Sequence, residues 1–375
     1  MTTVHVVVPE GVADPSRPSG GNTYGRRVCA ALDARGWSVV VHEAPGQWPH
    51  ANPAAHLALG RTLAQLSDDA LVLLDGLVAS SVPHVLAPEQ RRLRQVVVVH
   101  LPLGVSVGGG MAAGSPEAGR TPAETPGVTP GEAVRRADEG AVLRGARAVI
   151  ATSAWTAQWL RTAYALEHGS VHLVPPGADS APLAGASRSG ERLICVGALT
   201  AIKGHDVLVE ALALDADLDW SCRLVGSPRI EPVFVEALHA RARAAGVDHR
   251  LEFTGPVAPE RMSAVYADAD LLLVPSRMET FGMAAIEALA RGIPVLGSAV
   301  GGLPEAVGES PSGDRPGLLT PPGNPALLAQ ELRRWLSEAD LRRQLRAAAR
   351  GRSATIGDWS ATADRLARVL TGVSR

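Results

Sequence analysis

Short apolar runs alternate with helix-like segments through both halves of the chain, and this alternation constrains the fold more than any other feature. The predicted strands of the first half are Val4–Val8, Ser38–His42, Leu71–Leu74, Val96–Val99 and Ala148–Ala151. Those of the second half are Leu193–Val196, Arg223–Val225, Leu251–Phe253, Leu271–Val274 and Pro294–Leu296. Strands that are apolar throughout are typical of parallel sheets covered by helices on both faces. The sequence therefore predicts an α/β protein.

The length of 375 residues fits two domains. Ala, Ser, Gly and Pro dominate Asp179–Gly190, which is the composition of an exposed connection. We therefore predict a first domain over residues 1–180 and a second over residues 190–355. A second low-complexity stretch, Gly104–Gly131, is predicted to be a loop, either a functional lid or a disordered insertion.

Two helices are predicted near the end of the sequence. The first lies in Pro325–Arg350, and its apolar side carries Leu327, Leu328, Leu332, Trp335 and Leu336. An arginine-rich helix of this kind can lie on a membrane surface. We favour a helix packed on a domain with its charged face in water. The second helix is Ser360–Leu370, after Trp359.

The charge balance and the cysteines argue against several classes of protein. With 36 basic and 38 acidic residues the net charge is −2, so no basic excess can neutralise nucleic-acid phosphates. No apolar stretch approaches the ~18 residues of a spanning helix, and Met1–Glu10 lacks a secretory signal. The three cysteines show neither a disulfide framework nor metal-ligand spacing. These features predict a cytoplasmic protein without a metal, for which peripheral membrane contact stays open.

Lys203 is the single lysine among the 36 basic residues. It follows the Leu193–Val196 strand and precedes a helical segment, Val207–Leu212, so it stands at the edge of a sheet where ligands bind. Chance survival of one lysine is the plain alternative. The sharper interpretation is that position 203 needs a compact ammonium instead of a planar guanidinium, for example to neutralise a phosphate.

Two glutamates flank the start of another helix. The Leu271–Val274 strand ends at Pro275, and a helix is predicted from about Phe281 to Arg291. Glu279 then lies just before the helix and Glu287 two turns inside it, among apolar neighbours. A carboxylate in such a setting costs free energy unless it is paired or binds a ligand, so we predict a functional role.

Three further candidates lie at the ends of predicted strands. The stretch Pro18–Asn22 contains Gly20 and Gly21 before a helix, where backbone can approach an anion closely. A plain turn explains it equally well. His100 follows Val96–Val99, and Asp75 follows Leu71–Leu74. A core histidine and an ordinary Asp-Gly turn are the alternatives for these two.

Together these segments resemble the retaining glycosyltransferases of family 4, which have the GT-B fold, and the resemblance extends over nearly the whole chain. Its most specific part is Lys203-Gly204, Phe253-x-Gly255 and Pro275-Ser276-x2-Glu279-x-Phe281-Gly282-x4-Glu287-Ala288. It also includes Ser19-Gly20-Gly21, Ser153-x-Trp155, Pro175-Pro176-Gly177, Gly292-x-Pro294 and Gly301-Gly302-x-Pro304-Glu305.

The resemblance implies two Rossmann-like domains facing across a cleft, with acceptor bound by the first and donor by the second. Residues 356–375 would form a helix that returns to the first domain. The implied reaction is that of a hexosyltransferase: a sugar moves from a nucleoside diphosphate sugar to a hydroxylated small molecule or glycan, and the anomeric configuration is retained. No metal and no cofactor are implied, since the nucleotide sugar is a co-substrate.

The resemblance also assigns roles to residues. Lys203 would hold the diphosphate, Glu279 would face the hydroxyls of the donor sugar, and Glu287 would hold the ribose. His100 would sit at the donor sugar from the other domain. The predicted catalytic residues are Glu279, His100 and Lys203. The other predicted donor-binding residues are Gly20, Gly21, Val257, Thr280, Phe281, Gly282, Met283 and Glu287. The weaker acceptor candidates are Asp75 and Asn22.

Ala198 departs from the family pattern, which has an arginine in a Gly-Arg-Leu segment beside the diphosphate. The change removes a bidentate phosphate contact. Arg26, Arg27 and Arg229 are possible substitutes, and the sequence does not choose among them. A GT-B phosphorylase, a nucleotide-sugar epimerase and a non-catalytic sugar-nucleotide binder therefore stay open as alternatives.

Overall fold

A computed structural model describes residues 2–14, 19–105 and 129–374, which form two compact units. The first unit comprises the described residues of Met1–Ala13, Gly21–Pro176 and Trp359–Arg375, and the second those of Asp14–Gly20 and Gly177–Asp358. The first unit thus reaches Pro176 and not residue 180. The predicted connection Asp179–Gly190 belongs to the second unit, where Ser187 donates a hydrogen bond of 2.6 Å to Asp270.

Each unit contains a six-stranded sheet whose strands all run parallel. The first has the order β2-β1-β3-β4-β5-β6. Its strands are β1 (Thr3–Pro9), β2 (Ser38–Ala44), β3 (Leu71–Asp75), β4 (Arg94–Val99), β5 (Ala148–Ala151) and β6 (Val171–Leu173). The second has the order β12-β11-β10-β7-β8-β9. Its strands are β7 (Arg192–Val196), β8 (Ser221–Val225), β9 (Leu251–Gly255), β10 (Leu271–Val274), β11 (Val295–Ser298) and β12 (Gly317–Thr320).

Helices connect these strands. In the first half they are α1 (Gly20–Asp33), α2 (Pro53–Ala64), α3 (Gly76–Ala79), α4 (Pro83–Leu86), α5 (Pro130–Gly145) and α6 (Ala154–Tyr164). In the second half they are α7 (His205–Leu214), α8 (Pro232–Ala244), α9 (Pro259–Ala267), α10 (Met283–Leu289), α11 (Leu303–Val307), α12 (Pro325–Ser337), α13 (Ala339–Ser353) and α14 (Trp359–Ser374).

The α/β prediction is confirmed, and the ten predicted strands are present with small shifts at their ends. The sequence missed β6 and β12, which lie at the edges of the two sheets. The first is only Val-His-Leu, and the second begins with Gly and ends with Thr, so neither forms the continuous apolar run that marked the other strands. Pro294 lies outside β11, because proline has no N–H to donate to a neighbouring strand.

Residues 106–128 of the predicted loop Gly104–Gly131 lie outside the described residues. The end of that segment is helical, since α5 begins at Pro130 with a capping box. In this box Glu132 accepts from the Thr129 backbone N–H, and the Thr129 hydroxyl accepts from the Glu132 N–H. The loop prediction was therefore too long by two residues at its carboxyl end.

The arginine-rich region Pro325–Arg350 forms two helices, α12 and α13, and not one. Glu338 separates them with an extended backbone (φ −97, ψ 99). Three residues of α12 (Leu328, Leu332 and Trp335) are buried in the second unit, which confirms packing on a domain. Leu327, predicted on the same apolar side, is 37% exposed. Within the described ranges, no helix is both long and apolar enough to cross a membrane.

The final helix, α14, packs in the first unit. Trp359 meets Tyr24 of α1 edge-on at a centroid distance of 5.9 Å, and the Thr362 hydroxyl donates to the Pro175 carbonyl at 2.9 Å. Leu366 and Leu370 are fully buried. Burial of one such leucine contributes roughly 1.5–3 kcal/mol, so these contacts hold the end of the chain on the first unit.

Candidate functional site

Two loops of the second unit bring the lone lysine to a carboxylate. One loop follows β7 and carries Lys203, and the other follows β10 and carries Glu279; β7 and β10 are neighbours in the sheet. The Lys203 Nζ donates to the Glu279 Oε2 at 2.6 Å. The side chain of Lys203 is 32% exposed and that of Glu279 13%, so the pair lies at the surface of the sheet edge without being fully solvated.

A glycine fixes the backbone of the lysine loop. A short turn, Ala201–Lys203, ends at Gly204, whose φ of +69° is a left-handed conformation. A Cβ at position 204 would stand 2.1 Å from the Pro275 carbonyl oxygen. Only glycine tolerates both the conformation and the close approach. The lysine loop is thus pressed against the start of the glutamate loop.

A second contact, which the sequence analysis missed, ties the same two loops together. Arg277 donates to both carboxylate oxygens of Asp206 at 2.7 Å, and also to the Ala201 carbonyl at 2.7 Å. Its backbone N–H reaches the Ile202 carbonyl at 2.8 Å. Burial raises the pKa of Asp206, but the Arg277 guanidinium outweighs it and holds that pKa below its ordinary value. Asp206 lies in the first turn of α7, a place that favours an acidic residue, which was the available signal.

Replacing Asp206 with asparagine should remove the ionic part of this contact while preserving its size. We expect a loss of about 1–2 kcal/mol in the free energy of unfolding, measured by urea titration, because a partly buried charge-assisted pair is broken. Asp217→Asn, which removes a well-exposed partner of Arg333, is the matched control and should cost clearly less. Equal losses in the two variants would show that the Arg277 contact is an ordinary surface pair.

The glutamate loop is held from its other side by two glycines. The Gly302 N–H donates to the Glu279 carbonyl at 2.8 Å, and a Cβ on Gly301 would stand 1.9 Å from the same oxygen. After this loop Phe281 is buried, Thr280 is half-buried, and Gly282 (φ +108°) precedes Met283, the first residue of α10. The predicted helix from Phe281 to Arg291 was therefore too long at both ends, because Gly282 adopts a left-handed backbone.

Glu287 lies in the second turn of α10, nearer its start than predicted. It is half-buried, and its Oε2 accepts a hydrogen bond from the Tyr266 hydroxyl at 2.8 Å. Burial, with the Glu287 carboxylate next, raises the pKa of Tyr266 well above its ordinary value. The carboxylate therefore has a partner within the protein, and a ligand is not required to explain it.

The position of the missing arginine lies beside another loop of the same sheet edge. The Leu199 N–H donates to the Ser227 carbonyl at 3.0 Å, so the loop containing Ala198 runs next to the loop that follows β8. Arg229 is exposed two residues further along this second loop. Arg26 and Arg27 lie on α1. Val257 is half-buried after β9, which neighbours β8.

In the first unit, the sheet brings His100 and Asp75 together at the ends of adjacent strands. The His100 Nε2 lies 3.7 Å from the Asp75 Oδ2. Burial lowers the pKa of His100, with Asp75 opposing it, and burial raises the pKa of Asp75. Asp75 also caps α3 by accepting the Leu77 N–H at 2.8 Å, so the turn interpretation describes part of its role.

Gly21 approaches the same histidine, since a Cβ there would stand 3.3 Å from the His100 Cδ2. Gly20, which begins α1, is exposed, and Asn22 is half-buried one turn further on. The structure thus groups the predicted residues into two sets. The first is Gly21, Asp75 and His100, in the first unit. The second is Lys203 and Glu279, in the second. Within the described ranges, no cluster of three or more His, Cys, Asp and Glu side chains could hold a metal ion.

The architecture is that of a GT-B protein, with two parallel α/β sheets. A solved sucrose-phosphate synthase from Thermosynechococcus elongatus superposes with a TM-score of 0.77 at 24% identity, over 100% of this chain and 99% of that one. The Anabaena protein HepE, solved in complex with UDP-glucose, superposes with a TM-score of 0.72 at 18% identity, over 99% and 100% of the two chains.

The sequence comparisons give the family. Residues 185–352 match the model described as glycosyl transferases group 1. This part of the chain belongs to that family, as the sequence resemblance indicated.

Two curated relatives have names that describe sugar transfer or synthesis. The D-inositol 3-phosphate glycosyltransferase of Jonesia denitrificans is 35% identical over 259 residues, which are 64% of this chain and 60% of the relative. The mannosylfructose-phosphate synthase of Agrobacterium fabrum is 32% identical over 184 residues, 44% of this chain and 40% of the relative. The chain thus spans about 60% of the first relative's length.

Proposed function

We propose that the protein transfers a hexosyl group from a nucleoside diphosphate sugar to a hydroxyl group of an acceptor. The observation that carries this proposal is the Lys203–Glu279 pair at the carboxyl edge of a parallel sheet, within a domain of this family. A cation and a carboxylate side by side offer complementary partners to a nucleotide sugar. The ammonium suits the diphosphate, and the carboxylate accepts hydrogen bonds from sugar hydroxyls.

The chemistry follows from where charge develops. When the bond between sugar and diphosphate breaks, negative charge grows on the leaving phosphate, and a fixed ammonium at that position stabilises it. The Gly204 and Gly301 contacts hold the two loops before the substrate arrives, which lowers the cost of ordering them. Retention of configuration and independence of metal belong to the proposal through the family resemblance.

The relatives' names guide the choice of substrates. UDP-glucose is the first donor to test, since HepE was solved with it. D-inositol 3-phosphate is the first acceptor, because several curated relatives are named for its glycosylation. Residues of the first unit, His100 and Asp75 among them, stay candidates for positions near the reacting groups.

A thermal-shift screen of UDP-, GDP-, ADP- and dTDP-sugars tests donor binding. A true donor should raise the melting temperature in a concentration-dependent way, by about 2.7 kcal/mol of added stability at a hundred times its Kd. The best donor is then incubated with acceptors, with and without EDTA, and the anomeric configuration of the product is determined by NMR.

The alternatives give different outcomes in the same assay. Phosphorolysis of a glycoside by inorganic phosphate, or inversion of the sugar in donor alone, would favour a phosphorylase or an epimerase. Binding without turnover over a broad acceptor panel would favour a sugar-nucleotide binder. The absence of any melting shift over the whole donor panel would contradict the proposal itself.

A further inference from the structure

A groove of about 660 Å³ lies in the first unit between the edge strand β6 and the last helix, α14. It extends to the sheet edge where the strands begin. Arg147 lines it just before β5, and the lining residue Val373 accepts a hydrogen bond from Arg94, the first residue of β4. His100 and Asp75 stand at the opposite edge, where β4 and β3 end. The groove is therefore separate from the residues considered so far.

Three guanidinium groups and an imidazole surround this groove, and its lining contains no carboxylate. The groups belong to Arg147, Arg365, Arg368 and His172. No side-chain ion pair joins any of these three arginines to another of the described residues. Elsewhere in the unit arginines are paired: Arg35 with Asp364 at 2.6 Å, for example. Unneutralised cations around one concavity produce a positive potential that attracts anions.

The nearest acidic group does not cancel this charge. Asp364 precedes Arg368 by one helical turn, but its carboxylate is bound by Arg35 on the neighbouring helix. The lowered pKa of Asp364 has the Arg35 hydrogen bond as its first cause and Arg368 only as a distant one. Arg368 therefore keeps its hydrogen-bonding capacity for a ligand.

The floor of the groove is apolar. Leu173 is 40% exposed on β6, and Val369 and Val373 are half-buried on α14. Arg365 and Arg368 are spaced by three residues on the same side of α14, with Val369 directly after them. Gly372 adds no side chain to this side, and a Cβ there would meet open space. The groove thus combines an apolar floor with a cationic rim.

We propose that this groove binds a phosphate ester that carries an apolar group. Arginine forms two parallel hydrogen bonds with phosphate oxygens, so two guanidiniums one turn apart suit such a headgroup. The apolar floor suits the carbon atoms attached to it. The volume lies within the range of roughly 300–1,000 Å³ typical of small-molecule sites. The same chemistry occurs in an anionic phospholipid and in a soluble phosphate ester.

The test uses the full-length protein and two probes. Inorganic pyrophosphate is titrated by calorimetry, and vesicles of phosphatidylcholine, alone or mixed with phosphatidylglycerol, are tested by flotation. The variant R365E/R368E is compared with R61E/R91E, which reverses two exposed arginines of the same unit that do not line the groove. Should R365E/R368E not fold, as judged by its thermal melt, R147E replaces it, because Arg147 lies across the groove from α14.

We expect the wild-type protein to bind at least one probe, and R365E/R368E to weaken that binding about tenfold or more. R61E/R91E should change it less than threefold. Binding to phosphatidylglycerol vesicles alone identifies a lipid surface as the source, and binding to pyrophosphate alone identifies a soluble ester. Failure of both probes to bind, or equal weakening by the two double variants, would overturn the proposal. The readout is binding, so it does not depend on the proposed transferase activity.

Discussion

Replacing Lys203 with arginine is expected to weaken nucleoside diphosphate binding at least tenfold, although the positive charge is preserved. The ammonium fits within 2.6 Å of Glu279 on a loop that Gly204 and Pro275 hold rigidly. A planar guanidinium is longer and wider, so it cannot occupy the same point. Lys203→Ala removes the charge altogether. A lost charged contact of this kind is worth roughly 1.5–3 kcal/mol, or about ten- to a hundredfold in affinity.

The measurement is the Kd of the nucleoside diphosphate that corresponds to the best donor, determined by calorimetry for both variants. Arg243→Ala is the control, since it removes an exposed cation near the carboxyl end of α8 in the same unit. If Lys203→Arg binds and transfers like the parent protein, the single lysine is a chance survivor and the phosphate lies elsewhere.

Replacing Glu279 with glutamine is expected to reduce the rate of sugar transfer at least tenfold while the protein stays folded. The substitution keeps the size of the side chain but removes the charge that Lys203 contacts and that sugar hydroxyls would use. Glu287→Gln should also lose at least tenfold in transfer. Its fold should persist, because the amide oxygen can still accept from Tyr266.

Transfer is measured with the best donor and acceptor, and folding by the thermal melt of each variant. Glu236→Gln on the exposed side of α8 changes the charge equally and should leave the rate unchanged. Wild-type turnover in Glu279→Gln would show that this carboxylate does not serve the reaction. Wild-type turnover in Glu287→Gln alone would reduce Glu287 to a structural partner of Tyr266.

The central strands were predictable because burial on both faces leaves a direct trace in the sequence. Leu71–Leu74 and Leu271–Val274 are uninterrupted apolar runs, and each lies inside its sheet. Edge strands leave a weaker trace, since one side pairs with nothing and a polar residue is tolerated there. His172 in β6 shows this. Pairing with a neighbouring strand, which is not a local property, decided that these segments are strands.

Helix ends were less predictable than helix positions. Composition alone carried the α10 prediction through Phe281, but a left-handed Gly282 sets the start of that helix. The Pro325–Arg350 pattern gave no sign of the extended residue Glu338 between α12 and α13. In both cases one backbone conformation, chosen by surrounding contacts, overrides a favourable helical pattern.

The sequence by itself determined the class of fold, the family of the second domain and the position of Lys203 and Glu279 at strand ends. Those features follow from periodicity and order along the chain, which folding preserves. Only the tertiary structure showed that these two side chains meet, that Arg277 and Asp206 join their loops, and that Tyr266 accounts for Glu287. It alone also placed Arg365 and Arg368 beside Arg147. These are contacts between segments distant in sequence, and their distances depend on strand order and packing that no local pattern encodes.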